Sequence, residues 1–520
     1  MARYKPYDYD QMMMVPISLP DQLEPGTLEH AIHHIIEERA DTSFFDERYN
    51  NDETGSRAID PKVLLKIILF GYSRGITSSR PLERVCKENV MFMALTCGQT
   101  PDHSTIAAFI SSMGDQVVPL FTQVLMICEE DELLGGSHFS IDGLKIASNA
   151  SKECSGTFAD LEKKQKGLER KVKEAVREHR KLDQRSAKKV SNEEKNRHKK
   201  RIKRLTQKAE RIEKFLKLKT PKLGTTGKEI QSNVTDNESA KLATSHGVVQ
   251  GYNANAMVDE DHQIIVHAEA FGNCSDGSNI RPMLEGAKEN LQNIGHDSDV
   301  LKGKIITADT SYFSRENLIA CKDEEVDGYI PDQHFRKRDI RFKDAKRHRR
   351  SVDKNHTKYK PKKKEYYDIE DFKRDDESGR LMCPAGHLMY RCTKNSTTTK
   401  PGYITSTYKT PRKFCTGCHL RPKCIRKPET KQRYLMVFHG RLPDITDDMK
   451  NKIDTPEGRK TYSKRMGIVE PVFGNIRTQK GMDKFTLSGQ AKVQIQWMLY
   501  CIVHNVEKIA HFGKSYAMGV

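Results

Sequence analysis

Two charged stretches in the first half of the chain return an apolar position every three or four residues, and that period leaves few ways to fold them. In the first, Leu161, Gln165, Leu168, Val172, Ala175, His179 and Leu182 are spaced 4, 3, 4, 3, 4 and 3 residues apart. In the second, Ile202, Leu205, Ala209, Ile212 and Leu216 repeat that seam. A period near 3.5 with charge at the other positions makes a helix that must bury one narrow stripe against a partner. The polar run RSAKKVSNEE between them predicts a turn, so the pair reads as an antiparallel coiled-coil hairpin over 160–217.

Strand-like sequence on both sides marks the hairpin as an insertion. Before it, HFSIDGLKIASNA (138–150) alternates Phe139, Ile141 and Ile146 around Asp142-Gly143 and predicts a strand or a hairpin. After it, GVVQGYNANAMVD and QIIVHAEAF predict a strand pair joined by DEDH. GKIITADTSYFS predicts a third strand ending at Asp309, with a helix from Ser314, and DGYIP a further short strand. From Pro25 to about Glu130 the pattern is helical, with Asp60-Pro61 opening one helix and Asp102 or Ser104 capping another. His33 and His34 lie on such a helix without a partner motif and read as core or surface residues. The chain closes with helical patterns at 459–478 and at KVQIQWMLYCIVHNVEKIA. The expected fold is α/β, a mixed sheet flanked by helices. Its parts are an all-α domain over 1–135, a core from 136–334 and 440–520, and a basic, cysteine-rich insertion over 335–439.

Charge narrows the partners. The chain has 89 Lys and Arg against 71 Asp and Glu, a formal +18, and 335–364 alone holds 15 basic and 3 acidic residues. Such density points to a polyanion, because neutralised phosphates release counterions; a basic loop kept for solubility is the plainer alternative. MARYKPYDYDQMMMVP has no apolar core suited to a signal peptide, and runs such as VLLKIILFGY are too short to span a bilayer. A reducing, cytoplasmic setting is therefore expected, where Cys86, Cys97, Cys128, Cys154, Cys274, Cys321 and Cys501 are ordinary thiols. Cys383, Cys415, Cys418 and Cys424 are a candidate structural zinc set, with Cys392, His387 and His419 as spares. Free or redox-active thiols are the alternative.

Three acids stand out. Asp142 follows an apolar strand, Asp309 ends another, and Glu470 sits between Val469 and Pro471 in YSKRMGIVEPVFGNIR. Carboxylates at buried strands are costly unless they ligate a metal or accept hydrogen bonds, and together the three suit magnesium. Singly, each has a plain explanation: a hairpin turn, a helix cap and a solvated face. On a regular helix Arg477 returns to nearly the face of Glu470, opposite Ile468, Val472, Phe473 and Ile476. Pro471 either kinks that helix or opens a new one. Gly474 serves either close approach of DNA or helix packing.

LLKIILFGYSRGITSSRPLE, PDHSTIAAF, SIDGLKIASNAS, VVQGYNANAMVD, ITADTSYFS and VEPVFGNIR resemble landmarks of the DDE transposases of bacterial insertion sequences, in the group with a helical N-terminal domain. The resemblance implies an RNase H-like core in which Asp142, Asp309 and Glu470 hold two Mg2+ or Mn2+ ions. It implies cleavage at terminal inverted repeats, then attack on target DNA by the freed 3′-hydroxyl. The C-terminal stretch resembles the family's Y-x2-R-x3-E-x6-K signature, giving Tyr462, Arg465 and Arg477 as DNA contacts, with Lys464 assisting. It departs in having four residues between Arg465 and Glu470, and arginine at the lysine position. Double-stranded DNA, a homodimer in the synaptic complex, no membrane and a prokaryotic, nucleoid-associated location follow. The alternatives are a catalytically inactive, transposase-derived DNA-binding protein and a simple nuclease. The helical hairpin reads equally as a dimerisation arm, a DNA clamp or a solvated spacer.

Overall fold

In the N-terminal third, apolar periodicity resolves into six helices among the described residues. They are α1 (Leu28–His34), α2 (Pro61–Ser73), α3 (Ser79–Glu88), α4 (Val90–Leu95), α5 (His103–Ser111) and α6 (Val117–Glu130). The computed structural model describes residues 18–49, 57–184, 192–224, 227–244, 247–342, 366–378, 380–392, 396–398, 403–427, 429–442 and 444–514. Most of the RSAKKVSNEE turn and the basic run from 343 to 364 lie outside the described residues. Capping follows the sequence: Asp60 accepts from the Lys62 amide at 2.7 Å with Pro61 opening α2. At α5 it is Asp102, not Ser104, that caps, accepting from the amides of Ser104 and Thr105 at 2.7 and 2.9 Å.

The chain divides into two compact units, Met1–Tyr312 with Ala320–Ile330 and Lys460–Val520, and Phe313–Ile319 with Pro331–Arg459. The first holds a six-stranded sheet built from β1 (His138–Ala147), β4 (Ala240–Thr244), β5 (Gly247–Asp259), β6 (Ile265–Phe271), β7 (Ile305–Ala308) and β8 (Asp327–Tyr329). Short strands β2 (Ser155–Gly156) and β3 (Ser232–Asn233) pair apart from it. The order is β6 or β4, then β5, β1, β7 and β8. β5 pairs antiparallel with β1, β4 and β6, while β1–β7 and β7–β8 are parallel. β5 is buried from Gln250 to Val258, as a strand with neighbours on both edges and covered faces should be.

Helices α7 (Phe158–Gln184) and α8 (Asn192–Leu218) pack along each other in opposite directions. His179 stacks on His198 near the far end, and Leu161, Ile212 and Phe215 form a core at the root with half-buried Leu168 and Val234. Over the described residues the seam is as spaced in the sequence except at its last member, where Phe215 is buried and Leu216 half-buried; the side chain of Leu182 lies outside them. At 27 residues each, the two helices reach about 40 Å.

The other helices are α9 (Ile280–Asn293), α10 (Arg315–Asp323), α11 (Phe335–Arg338), α12 (Arg412–Cys415), α13 (Arg421–Cys424), α14 (Ile445–Asp454), α15 (Pro456–Gly474) and α16 (Gln490–Phe512). α16 is the hub of the first unit, packing on β6 and on α1, α2 and α6. Tyr72 meets Tyr500 at 5.0 Å, so the N-terminal helices share a core with the C-terminal one. The second unit carries β9 (Lys373–Arg374), β10 (Leu381–Met382), β11 (Tyr390–Arg391), β12 (Thr397–Thr398), β13 (Tyr403–Lys409) and β14 (Tyr434–Arg441). Its core gathers Phe372, Leu381, Cys383, Met389 and Leu435. No described helix is long and apolar enough to cross a membrane.

Pro471 neither breaks α15 nor opens a new helix: α15 runs through it to Gly474 and continues as a five-residue π turn, Asn475–Gln479. Proline leaves the carbonyl four residues back without its helical donor. That carbonyl, of Gly467, accepts instead from Gln263 Nε2 at 2.9 Å. Gln263 sits in the β5–β6 turn with a left-handed φ of 61°, and its own carbonyl faces the Nε2 of His504 at 2.9 Å.

Burial pushes the fully enclosed His504 imidazole from 6.5 down to about 3, so the ring is neutral at pH 7. The unfolded chain therefore binds a proton here between pH 6.5 and about 3 that the folded chain refuses. Stability is fully present above 6.5 and falls as the pH drops through that window. From pH 7 to 5 the expected loss is about 2 kcal/mol from this ring. Urea denaturation should show it in the wild type and not in His504→Gln, whose amide keeps a donor toward Gln263.

Candidate active site

Sheet register brings two of the three acids together. β1 and β7 run parallel with Ile141 beside Ala308, so Asp142 and Asp309 come side by side, on one face, where β7 ends. Neighbouring strands lie about 4.8 Å apart. The Asp142-Gly143 pair is not a turn: β1 passes straight through it, with Asp142 opposite Ala256 and Gly143 opposite Asn255. Glycine is required there because a Cβ would stand 2.6 Å from Asn255 Oδ1 and 3.0 Å from Asn253 Oδ1.

The backbone N–H of Gly143 donates to Asp142 Oδ1 at 2.8 Å, and Arg465 Nη1 donates to Oδ2 at 2.8 Å. Burial pushes the Asp142 carboxyl above its ordinary range; Arg465 and the Gly143 amide pull it back, and the charge of Asp309 adds to the rise. Burial opposes the Arg465 charge, yet Asp142, Tyr462 and Asp309 outweigh it and hold the guanidinium more firmly protonated than usual. Asp309 is half-buried and accepts from the Thr310 amide at 2.6 Å.

α15 therefore presents Arg465, not Glu470, to the carboxylate pair. Five residues advance about 140° beyond a full helical turn, so Glu470 projects from another face and is exposed. Lys464 is occupied by Glu260 at 2.8 Å, and Glu260 also holds His138 Nδ1 at 3.0 Å. Arg477 is exposed beside Asp483 at 3.8 Å, in the π turn that replaces the regular helix expected there. Tyr462 is half-buried, one turn from Arg465.

Sequence reasoning missed the group behind the pair. On the opposite face of β1, Asn255 Nδ2 donates to the Tyr312 hydroxyl at 2.5 Å, and Asn253 Nδ2 donates to Asp276. Tyr312 is fully buried; burial raises its phenol well above the ordinary value, and Asp276, Asp142 and Asp309 raise it further. Trp497, the chain's single tryptophan, donates from its indole N–H to the Asn255 carbonyl at 2.8 Å and ties α16 to this strand. The available signal was NAN in GVVQGYNANAMVD: two asparagines at i and i+2 in a buried strand need dedicated partners.

In the second unit, Cys383, Cys415, Cys418 and Cys424 line one cavity of about 20 Å³ with His387, room for a single ion-sized guest. Cys392 and His419 do not line it. Burial raises the Cys424 thiol; Arg433 lowers it, and Cys415, Cys383 and Cys418 raise it, so the four thiols feel one another. Among the described residues, however, no three His, Cys, Asp or Glu side chains converge in an arrangement able to hold a metal ion, here or at Asp142 and Asp309.

A mixed sheet with one acid within β1 beside another where β7 ends, in a strongly basic chain, defines a candidate nucleic-acid-processing enzyme. Residues 382–510 match the family of the transposase DDE domain, and residues 18–112 match the transposase domain called DUF772. These two matches support a DDE-type insertion-sequence transposase. The first match spans the four cysteines and Glu470, the second the N-terminal helices to α5, and Asp142 and Asp309 fall outside both. No curated protein and no solved structure matches the chain.

Proposed function

We propose that this transposase cleaves DNA at the terminal inverted repeats of its element and joins the freed 3′-hydroxyl to target DNA. The observation that carries the reading is the in-register meeting of Asp142 and Asp309 at the end of β7. The sequence β6, β5, β1, β7, β8, antiparallel across the first three and parallel across the last two, supports an RNase H-like core.

Two adjacent carboxylates are a hard-oxygen donor set that fits Mg2+ or Mn2+. When bound, two such ions activate the attacking oxygen and neutralise charge on the leaving one. Asp142 and Asp309 are their proposed ligands, with Glu470 the third. Arg465 fills the place beside Asp142, so recruiting Glu470 requires α15 to shift. The proline at 471 and the π turn at 475–479 are where its hydrogen-bond ladder is already interrupted. Arg465 meanwhile orients Asp142 and pulls down a carboxyl that burial raises. Tyr462, Lys464 and Arg477 are the proposed contacts to the DNA end, Lys464 by exchanging Glu260 for a phosphate. A homodimer is proposed for the complex that pairs two ends.

Purified protein, end-containing duplex and Mg2+ should yield joined products at the 3′-hydroxyl. Binding without cutting would favour the inactive alternative, and cutting without end preference a simple nuclease. For Cys383, Cys415, Cys418 and Cys424 we propose a structural zinc, whose binding has to draw together four thiols that share one cavity without converging in this structure. Metal analysis should find one zinc per chain, and Cys418→Ser should lose it together with the folding of the second unit.

A further inference from the structure

The root of the α7–α8 hairpin encloses a cleft of about 390 Å³ on the first unit, outside the site just described. Four cations line it, Lys164 and Lys171 from α7 and Lys208 and Arg211 from α8, against a single acid, Glu153. Its apolar wall is Leu168, Ile212 and Val234, members of the core that anchors the hairpin. Lys164 is fixed by the backbone carbonyls of Glu153 and Ser155 at 2.9 and 2.6 Å, which place its charge at the cleft without cancelling it.

Two features mark this cleft. Some cations of the hairpin outside it are paired, as Arg201 with Glu178, Arg197 with Glu193 and Lys217 with Glu213, and three that line it are not. Among the described residues Lys171, Lys208 and Arg211 have no ion-pair partner, so their charges await one from outside. The second feature is Gly167, in the interior of α7 and on the cleft wall. Glycine costs a helix interior about 1 kcal/mol relative to alanine. Here a Cβ would meet nothing within 4 Å, so no neighbour in the chain requires its absence. What the missing side chain provides is open space in the cleft.

We infer that the cleft at the hairpin root binds the sugar–phosphate backbone of duplex DNA, one strand lying past Gly167 with its phosphates on Lys171, Lys208 and Arg211. Together α7 and α8 carry 20 basic and 10 acidic residues, a net +10, which extends the same field along the arm. The contact carries no base readout, so it positions DNA and leaves sequence choice to other segments. It rests on the transposase reading for the identity of the polyanion, but not on the catalytic carboxylates.

The test is salt-dependent binding of end-containing duplex by the full-length protein, followed by fluorescence anisotropy. Lys171→Glu/Lys208→Glu/Arg211→Glu should lose at least about ten-fold in affinity and flatten the log–log salt slope by about 3, near 0.9 per phosphate contact. The same charge change off the cleft, Lys166→Glu/Lys173→Glu/Lys203→Glu, should cost clearly less. Gly167→Leu fills the cleft without altering charge; it should weaken binding several-fold while melting no lower than wild type. Equal losses from both triple variants would mean a diffuse field and overturn the site. So would unchanged binding by Gly167→Leu, or pyrophosphate binding that needs these residues while DNA binding does not. Running the series in an Asp309→Asn background keeps the outcome independent of catalysis.

Discussion

Asp309→Asn is expected to bind end-containing DNA within about two-fold of wild type, yet cleave and join it on the order of 10³-fold more slowly. The amide keeps the carboxyl's shape and can still accept from Thr310, so nothing local is lost in folding. It removes one of two adjacent negative charges, and preorganised charge at a reacting phosphate commonly accounts for factors of this size. Gel assays of cleavage and joining, with anisotropy for binding, separate the two effects. Asp142→Asn should be equally inactive but also less stable, because it deprives Arg465 of its buried partner.

That ion pair gives the second large effect. The Arg465 side chain is 9% exposed and that of Asp142 22%, and they meet at 2.8 Å. Removing one member of a buried pair leaves the other charge without compensation, so Arg465→Ala should lower the free energy of unfolding by about 3 kcal/mol. Only Nη1 bonds to Asp142, and the buried Nε has no acceptor. A single ammonium is therefore an adequate substitute, and Arg465→Lys should recover more than half of the loss. Urea melts of the two single variants and of Asp142→Asn/Arg465→Ala give the coupling directly. A double variant no worse than either single one is the expected pattern.

The local chemistry of the sequence carried far. Asp60-Pro61 and Asp102 cap the helices that their spacing announces, and the long seam from Leu161 predicts a helix whose partner supplies Ile212. The strands on either side of Asp309 were legible because apolar alternation is a property of a few adjacent residues. What was not legible depends on partners far away in the chain. Asp142-Gly143 suggested a turn as readily as a strand until Asn253 and Asn255 supplied the reason for glycine. Pro471 promised a kink or a fresh start because Gln263, which satisfies the Gly467 carbonyl, is over two hundred residues away. A regular helix suggested that Glu470 and Arg477 share a face, but the π turn changes the rotation, and only packing decides that Arg465 reaches Asp142.

The most direct measurement is the joining rate of Asp309→Cys in Mg2+ and in Mn2+. Magnesium refuses a thiolate, whereas the softer manganese accepts one. If position 309 ligates the reacting metal, the variant should be as inactive as Asp309→Asn in Mg2+ and recover at least about ten-fold in Mn2+. Full activity of Asp309→Cys in Mg2+, or joining by the wild type after all divalent ions are chelated, would contradict a metal held by Asp142 and Asp309.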